Sequence, residues 1–326
     1  MMLFEMIRKL TPENQSSVVV ISNLLGISID AVYRRMRCET MLDFEELIVL
    51  CNHFGISLDH LINNTATNNI QCRYIPLDLR DMKRCSVYLQ NMAASVESVR
   101  SAPDGEIIFT VVDIPICYYS AYKELSLFKL FSLNSSLYGF TGSYDDFVKD
   151  VDLNDLITGY EKVFKNYQQC PTTEIWAYYA FDRILSMLGY HHVLGHFSNK
   201  NFPLLLCEQL LDLNATMHRW AEQGTKGRKN TPYKFYVSEI DLCNTFVLFR
   251  KHGTINCDLK LFNINHFDIF DLQFCREIEN WLNSAIQSST LISGSSEIQR
   301  YQFFNRQRQK ICALMDKILI NSNGKG

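Results

Sequence analysis

"LLGISIDAVYRRMRCET" (residues 24–40) sets Gly26 two residues ahead of Ser28 and then crowds Tyr33, Arg34, Arg35 and Arg37 onto one short helix. Glycine takes the left-handed conformation that ends a helix, and serine is a favoured cap for the next one. The stretch therefore predicts two helices joined by a tight turn. Ile21, Leu25, Ile27 and Val32 are its apolar anchors, and the small Ser22 sits where crossing helices approach closely. A helix that only packs does not need this concentration of arginine. Elsewhere in residues 1–65 the basic side chains are Arg8 and Lys9.

Working outward, residues 4–10 read as a first helix ended by Thr11-Pro12, and Ser17 is positioned to cap a second helix running to Leu25. Asp43 caps a helix over 44–54, which Gly55 ends, and Ser57 caps a fifth over 58–62. "NNTATNN" (63–69) is a linker of turn-forming residues. The helix after Gly26 presents Ile29, Asp30, Tyr33, Arg34 and Arg37 away from Val32 and Met36. Long donors and flanking cations on a free helix face are what a helix needs to read a major groove. On that reading Asp30, Tyr33 and Arg34 meet base edges, while Ser28, Arg35, Arg37 and Thr40 meet phosphates.

Residues 17–62 resemble the lambda-repressor-like (XRE, Cro-type) helix-turn-helix, through "ISNLLGIS", the arginine-bearing helix and "LDFEELIVLCNHFGISLDHLI". Leu47, Leu50, Phe54, Ile56 and Leu61 would close its core. More narrowly, "DAVYRRMRCETMLDFEELIVLC" is similar to a BetR-type variant of bacterial regulators, which append a long C-terminal region. The "DIP" stretch Asp113-Ile114-Pro115 and "LIS…SE…FFN", carried by Leu291-Ile292-Ser293, Ser296-Glu297 and Phe303-Phe304-Asn305, fit that region more loosely. The resemblance implies a five-helix DNA-binding domain, binding to double-stranded DNA as a homodimer, and a regulatory C-terminal region with an unknown small-molecule or protein effector. Two positions depart from the pattern. Cys38 stands where glycine usually ends the recognition helix, and Val18, Val19 and Val20 replace polar residues that include a glutamine often placed on DNA.

Charge sharpens this. Residues 1–65 hold five basic and eight acidic side chains, a net of −3. Non-specific affinity, which comes from phosphate neutralisation, should be poor. The cations gathered on one helix suit specific binding, and two domains tied together would read half-sites about one helical turn apart.

Further along, Met82, Cys85, Leu89, Met92, Val96 and Val99 recur at alternating steps of three and four, an a/d seam suited to a parallel dimer or to docking on the next domain. "EIIFTVVDIPI" (106–116) reads as a buried strand, 120–222 as largely helical, and 234–250 and 254–264 as antiparallel strands. Amphipathic helices follow over 270–287 and 295–319, the latter with Ser296 and Gln299 spaced as a capping box. The expected fold is mainly α: a helix-turn-helix domain (1–65), a linker with a dimerisation helix (66–105), and an α+β regulatory domain with a small antiparallel sheet (106–326).

Other features point to less. The chain has 326 residues, 47% hydrophobic, with a net charge of −3, enough for a small domain plus a larger one and not for a histone-like basic protein. Eleven scattered cysteines without a CxxC pair predict reduced thiols. "MMLFEMIRKL" is not a signal peptide and no run reaches the ~20 apolar residues of a membrane span, so a soluble, cytoplasmic protein is expected. His192 and His196 are four apart as helical zinc ligands would be, but Gly195 intervenes and no HExxH is present. "EQGTKGRKN" (222–230) reads as a solvated turn, "WAYYAF" (176–181) as core at helical spacing, and "RYQFFNRQRQK" (300–310) as a solvated helix face. No catalytic arrangement, metal or cofactor is expected. The competing readings are a protein-interaction adaptor whose helix-turn-helix no longer binds DNA, and a ligand-processing enzyme in residues 106–326 fused to a DNA-binding head.

Overall fold

The structure, a computed structural model, describes residues 2–12, 15–56, 70, 72–149, 153–261 and 265–323. The chain divides into two compact units, Met1–Gln71 and Cys72–Gly326. The expected fifth helix with its Ser57 cap and Leu61, and the 63–69 linker, lie outside the described residues.

In the first unit α1 (Met2–Leu10), α2 (Ser17–Leu25), α3 (Ile29–Met36) and α4 (Phe44–Phe54) close around Phe4, Ile7, Ile21, Val32, Leu50 and Ile56. Gly26 and Gly55 take φ of 63° and 64°, where a Cβ would be strained, and end α2 and α4. Asp43 and Glu46 form a reciprocal capping box at the start of α4.

The second unit is built on a nine-stranded mixed sheet in the order β1-β8-β7-β6-β2-β3-β5-β4, with β9 (Thr290–Leu291) also on β5. β2 (Glu106–Val111), β3 (Thr172–Ala177) and β5 (Thr231–Ser238) run parallel at its centre. β6 (Phe246–Lys251), β7 (Thr254–Leu261), β8 (Asn265–Ile269) and β1 (Cys72–Ile75) continue it antiparallel on one side, and β4 (Thr225–Lys226) on the other. Phe109, Trp176 and Phe235 point to one face. They meet α5 (Met82–Arg100), α7 (Lys123–Tyr138), α9 (Leu153–Tyr167), α10 (Asp182–Val193), α11 (Phe202–Gln223) and α13 (Glu297–Asn323). The short α6 (Ile116–Tyr119) and α8 (Tyr144–Lys149) complete that layer. Ile108, Ile175 and Leu248 point to the opposite face, where α12 (Leu272–Gln287) packs with Cys275, Ile278 and Leu282.

The second unit is thus α+β around a large mixed sheet, and the expectation of a mainly α chain with a small antiparallel sheet is overturned. The cause is local. Every residue of "TTEIWA" on β3 is buried, because parallel strands are covered on both faces, so no period of two marks it. The same burial explains why "WAYYAF" begins on a strand rather than on a helix.

The core on the helical face holds a buried carboxylate. Glu174 Oε1 accepts from Tyr167 Oη at 2.5 Å and Thr172 Oγ1 at 2.9 Å, while Oε2 accepts from Tyr118 Oη at 2.6 Å and Trp176 Nε1 at 2.9 Å. Lys226 Nζ lies 3.8 Å from Glu174 and donates to Thr172 at 2.7 Å. The turn expected to be solvated therefore sends its first lysine into the core, where burial draws that ammonium down to about 8. Both Glu174 oxygens thus accept two hydrogen bonds each, and a buried polar network satisfied in this way specifies packing.

Candidate nucleic-acid interface

The chain bends by 108° between α2 and α3 through Gly26, Ile27 and Ser28, within the range of a helix-turn-helix. Ser22 holds the turn from inside: its Oγ donates to the Ile27 carbonyl at 2.6 Å, and Ile27 N returns a bond to the Ser22 carbonyl at 3.2 Å. Ser28 caps α3, its Oγ accepting from Ala31 N at 3.2 Å. The cap leaves Ser28 exposed beside the first turn of α3, where backbone N–H groups favour an anion.

Val32 is fully buried and Met36 half-buried, which fixes the rotation of α3. Ile29, Asp30, Tyr33, Arg34 and Arg37 are exposed, and Thr40 is half-buried just past the helix. The structure therefore groups six of the seven expected DNA-facing residues, the five exposed ones being Ser28, Asp30, Tyr33, Arg34 and Arg37. Arg35 is different. Its side chain is 16% exposed against 61% for Arg34 and 58% for Arg37. It forks onto Glu46 with Nε–Oε2 at 2.9 Å and Nη2–Oε1 at 2.5 Å, and Nη1 reaches the Ala31 carbonyl at 3.4 Å. Arg35 joins α3 to α4, so its assignment to a phosphate is corrected: a guanidinium used bidentately inside the unit has no fork left for DNA.

The exposed arginines also have a partner. Arg37 Nε and Nη2 donate to Glu39 at 2.7 and 3.2 Å, and Arg34 Nε lies 4.0 Å from the same carboxylate. Arg37 holds the Glu39 carboxyl below the usual carboxylate range. Counting charges along the sequence missed this pairing; the Asp43-x-x-Glu46 spacing was the one available hint of Glu46's role at α4. Cys38 has φ of 60°, with Glu39 N bonded to the Arg34 carbonyl at 2.9 Å and Cys38 N to the Arg35 carbonyl at 3.0 Å. This is a Schellman ending built on a cysteine, so the turn keeps the glycine geometry despite the substitution. Among the three valines Val19 is exposed, while Val18 and Val20 are half-buried.

The seam expected to pair two subunits is occupied within its own unit. Cys85, Leu89, Val96 and Val99 are buried, and Met82 and Met92 pack half-buried against the same core. Their partners are α9 and the sheet. A Cβ on Gly159 of α9 would stand 2.8 Å from Leu89 Cβ, so the two helices touch only because that residue is glycine. The dimerisation reading of this helix is corrected to docking, since a seam of this length matches either use.

The other constellations fall as follows. His191 meets His196, Nδ1 to Nδ1 at 2.8 Å, and its Nε2 lies 2.9 Å from Ser132 Oγ. Ser296 has φ of 54°, outside the extended backbone that an N-cap uses, so the expected capping box is not formed there. Arg300, expected on a solvated face, is buried and donates to the Ile292 and Ser295 carbonyls at 3.0 and 2.7 Å. Among the described residues, Asp258, His266 and Asp268 bring metal-ligating atoms within 4.8 Å of one another. Arg73 Nε donates to Asp268 at 3.0 Å and His266 Nε2 lies 3.0 Å from the same carboxylate, while burial pushes the Asp258 carboxyl up to about 7. No single described helix is long and apolar enough to cross a membrane. Comparison with protein-family models, with curated proteins and with solved structures gives no match for this chain.

Proposed function

We propose that the chain is a sequence-specific DNA-binding transcription regulator of the lambda-repressor-like, BetR-similar kind, with the second unit serving as its sensing or partner-binding region. The observation that carries this reading is the 108° helix pair with Asp30, Tyr33, Arg34 and Arg37 exposed on one side of the second helix. Asp30, Tyr33 and Arg34 take the base edges, and Ser28, Arg37 and Thr40 take phosphates. A unit with a net charge of −3 binds one half-site weakly, so operator affinity comes from two copies on two half-sites. The α5 seam does not join them, since it is spent on α9 and the sheet.

One observation favours an adaptor that has left DNA behind: Arg34, Arg35 and Arg37 all have glutamate partners. Selection of random duplex DNA by the full chain at low salt separates the two readings. A recovered palindrome with half-sites about one turn apart, blurred at one position by Arg34→Ala, supports the regulator. No enrichment by a folded chain supports the adaptor.

A further inference from the structure

Asp113, Lys129, Arg183 and Lys260 come from four elements and meet at one edge of the second unit's sheet. Asp113 follows β2 two residues past Val111, at the carboxyl end of a parallel strand. Arg183 stands in the first turn of α10, after the carboxyl end of the parallel neighbour β3. Lys129 projects from α7, and Lys260 lies near the end of β7, brought to the same edge by the pairing of Leu259 with Phe246. The carboxyl edge of parallel strands is where open sheets of this kind hold ligands.

The charges there do not balance. Asp113 Oδ2 accepts from Lys129 Nζ at 2.7 Å and lies 3.9 Å from Arg183 Nε. Lys260 is half-buried, interacts electrostatically with Asp113, Lys129 and Arg183, and is drawn down to about 8 by burial. Among the described residues neither Arg183 nor Lys260 has an ion pair with any other carboxylate. Three cations thus face one carboxylate where burial makes excess charge costly. The second oxygen of that carboxylate, Asp113 Oδ1, is buried and has no hydrogen-bond partner, in a residue only 6% exposed. The cluster therefore lacks two things at once: negative charge for the cations and a donor for Asp113.

A fully deprotonated oxyanion supplies the first and is repelled by Asp113. We propose that this cluster binds an oxyanion carrying its own O–H donor, of which hydrogen phosphate is the simplest. Lys129, Arg183 and Lys260 donate to its oxygens, and Asp113 Oδ1 accepts from its hydroxyl. Lys129 and Asp113 are buried, and Arg183 and Lys260 are the more exposed members of the cluster. This site stands on the second unit alone and does not depend on the DNA-binding reading.

Isothermal titration of the full chain with sodium phosphate, and separately with sodium sulfate at matched ionic strength and pH 7, tests the assignment. Saturable binding of phosphate at one site per chain is expected, with sulfate weaker by about tenfold or more because it brings no proton for Asp113. Arg183→Ala and Lys260→Gln should each weaken phosphate by about tenfold while leaving the unfolding midpoint in place, since both residues are partly exposed. Asp113→Asn, if it folds, should narrow the gap between the anions, because the new amide donates to sulfate. Glycerol 3-phosphate, mostly a dianion without a phosphate O–H at pH 7, should displace phosphate only at higher concentration; displacement at lower concentration would overturn the role given to Asp113. Absence of saturable phosphate binding, equal binding of sulfate, or binding indifferent to both Arg183→Ala and Lys260→Gln would overturn the proposal.

Discussion

Glu39→Gln should strengthen DNA binding, and the structure says by what route. In the free protein Arg37 spends its fork on Glu39 at 2.7 and 3.2 Å, and Arg34 shares the same carboxylate at 4.0 Å. Both cations must leave it to meet DNA, and the carboxylate then stands beside the phosphates. The amide removes that repulsion and releases Arg37 wholly and Arg34 in part. One to two more phosphates' worth of counterion release should follow, steepening the slope of log affinity against log salt by about 1 to 2. At moderate salt the affinity gain is about threefold to tenfold. Fluorescence anisotropy on the selected operator across a salt series measures both quantities. Glu46→Gln is the internal control. It also replaces a glutamate partnered with an arginine, but the amide oxygen can still accept from Arg35, whose side chain is only 16% exposed against α4, so its salt slope should change far less than that of Glu39→Gln. Equal steepening by both variants, or none by Glu39→Gln, would refute the division of the arginines into surface and internal ones.

Three further outcomes follow from strain, packing and titration. Cys38→Gly relieves a left-handed non-glycine residue and should stabilise the first unit by about 1 kcal/mol, seen as a rise in its unfolding midpoint. Gly159→Ala drives a Cβ to 2.8 Å from Leu89 Cβ, so the α5–α9 contact should lose about 1–3 kcal/mol in denaturant unfolding of the full chain. His191, buried against Ser132 and His196, is drawn down to about 4 from 6.5, chiefly by burial and then by the neighbouring histidine. Below 6.5 the unfolded chain takes up the proton first, so stability falls as pH drops from 6.5 towards 4, by about 3 kcal/mol in all. Unfolding midpoints across that range should decline in the natural protein and flatten in His191→Gln; parallel profiles would reject His191 as the cause.

How far the fold was legible depended on whether its signal was local. Ser28, Asp43, Gly26 and Gly55 set helix ends through bonds to residues within five positions, and the structure has those ends where the spacing placed them. The sheet was not legible in the same way. β1 pairs with β8 across almost two hundred positions, Cys72 opposite Ile269, and nothing near Cys72 marks it as a strand rather than a tether. β3 is buried throughout and shows no alternation, so the aromatic run that follows it suggested a helix. The seam on α5 is apolar as its spacing predicts, but a three-four repeat shorter than three heptads does not say whether its partner is a second copy or α9.

The same division applies to the charged residues, and it changes what a cluster of arginines means. On sequence Arg34, Arg35 and Arg37 are equivalent positive charges. In the structure they differ by partner: Arg35 holds Glu46 across two helices, while Arg34 and Arg37 lie against one exposed carboxylate that solvent already screens. A bidentate contact between half-buried groups ties two helices together, whereas an exposed pair is readily exchanged for a phosphate. If the unit reads DNA as proposed, the surface glutamate acts as a discriminator: it lowers affinity for any backbone, and only a duplex whose base edges also satisfy Tyr33, Arg34 and Asp30 repays the exchange. A unit with a net charge of −3 that nevertheless reads DNA would on this argument be selective because it is a poor polycation, and relief of Glu39 should gain affinity on random duplex faster than on the operator.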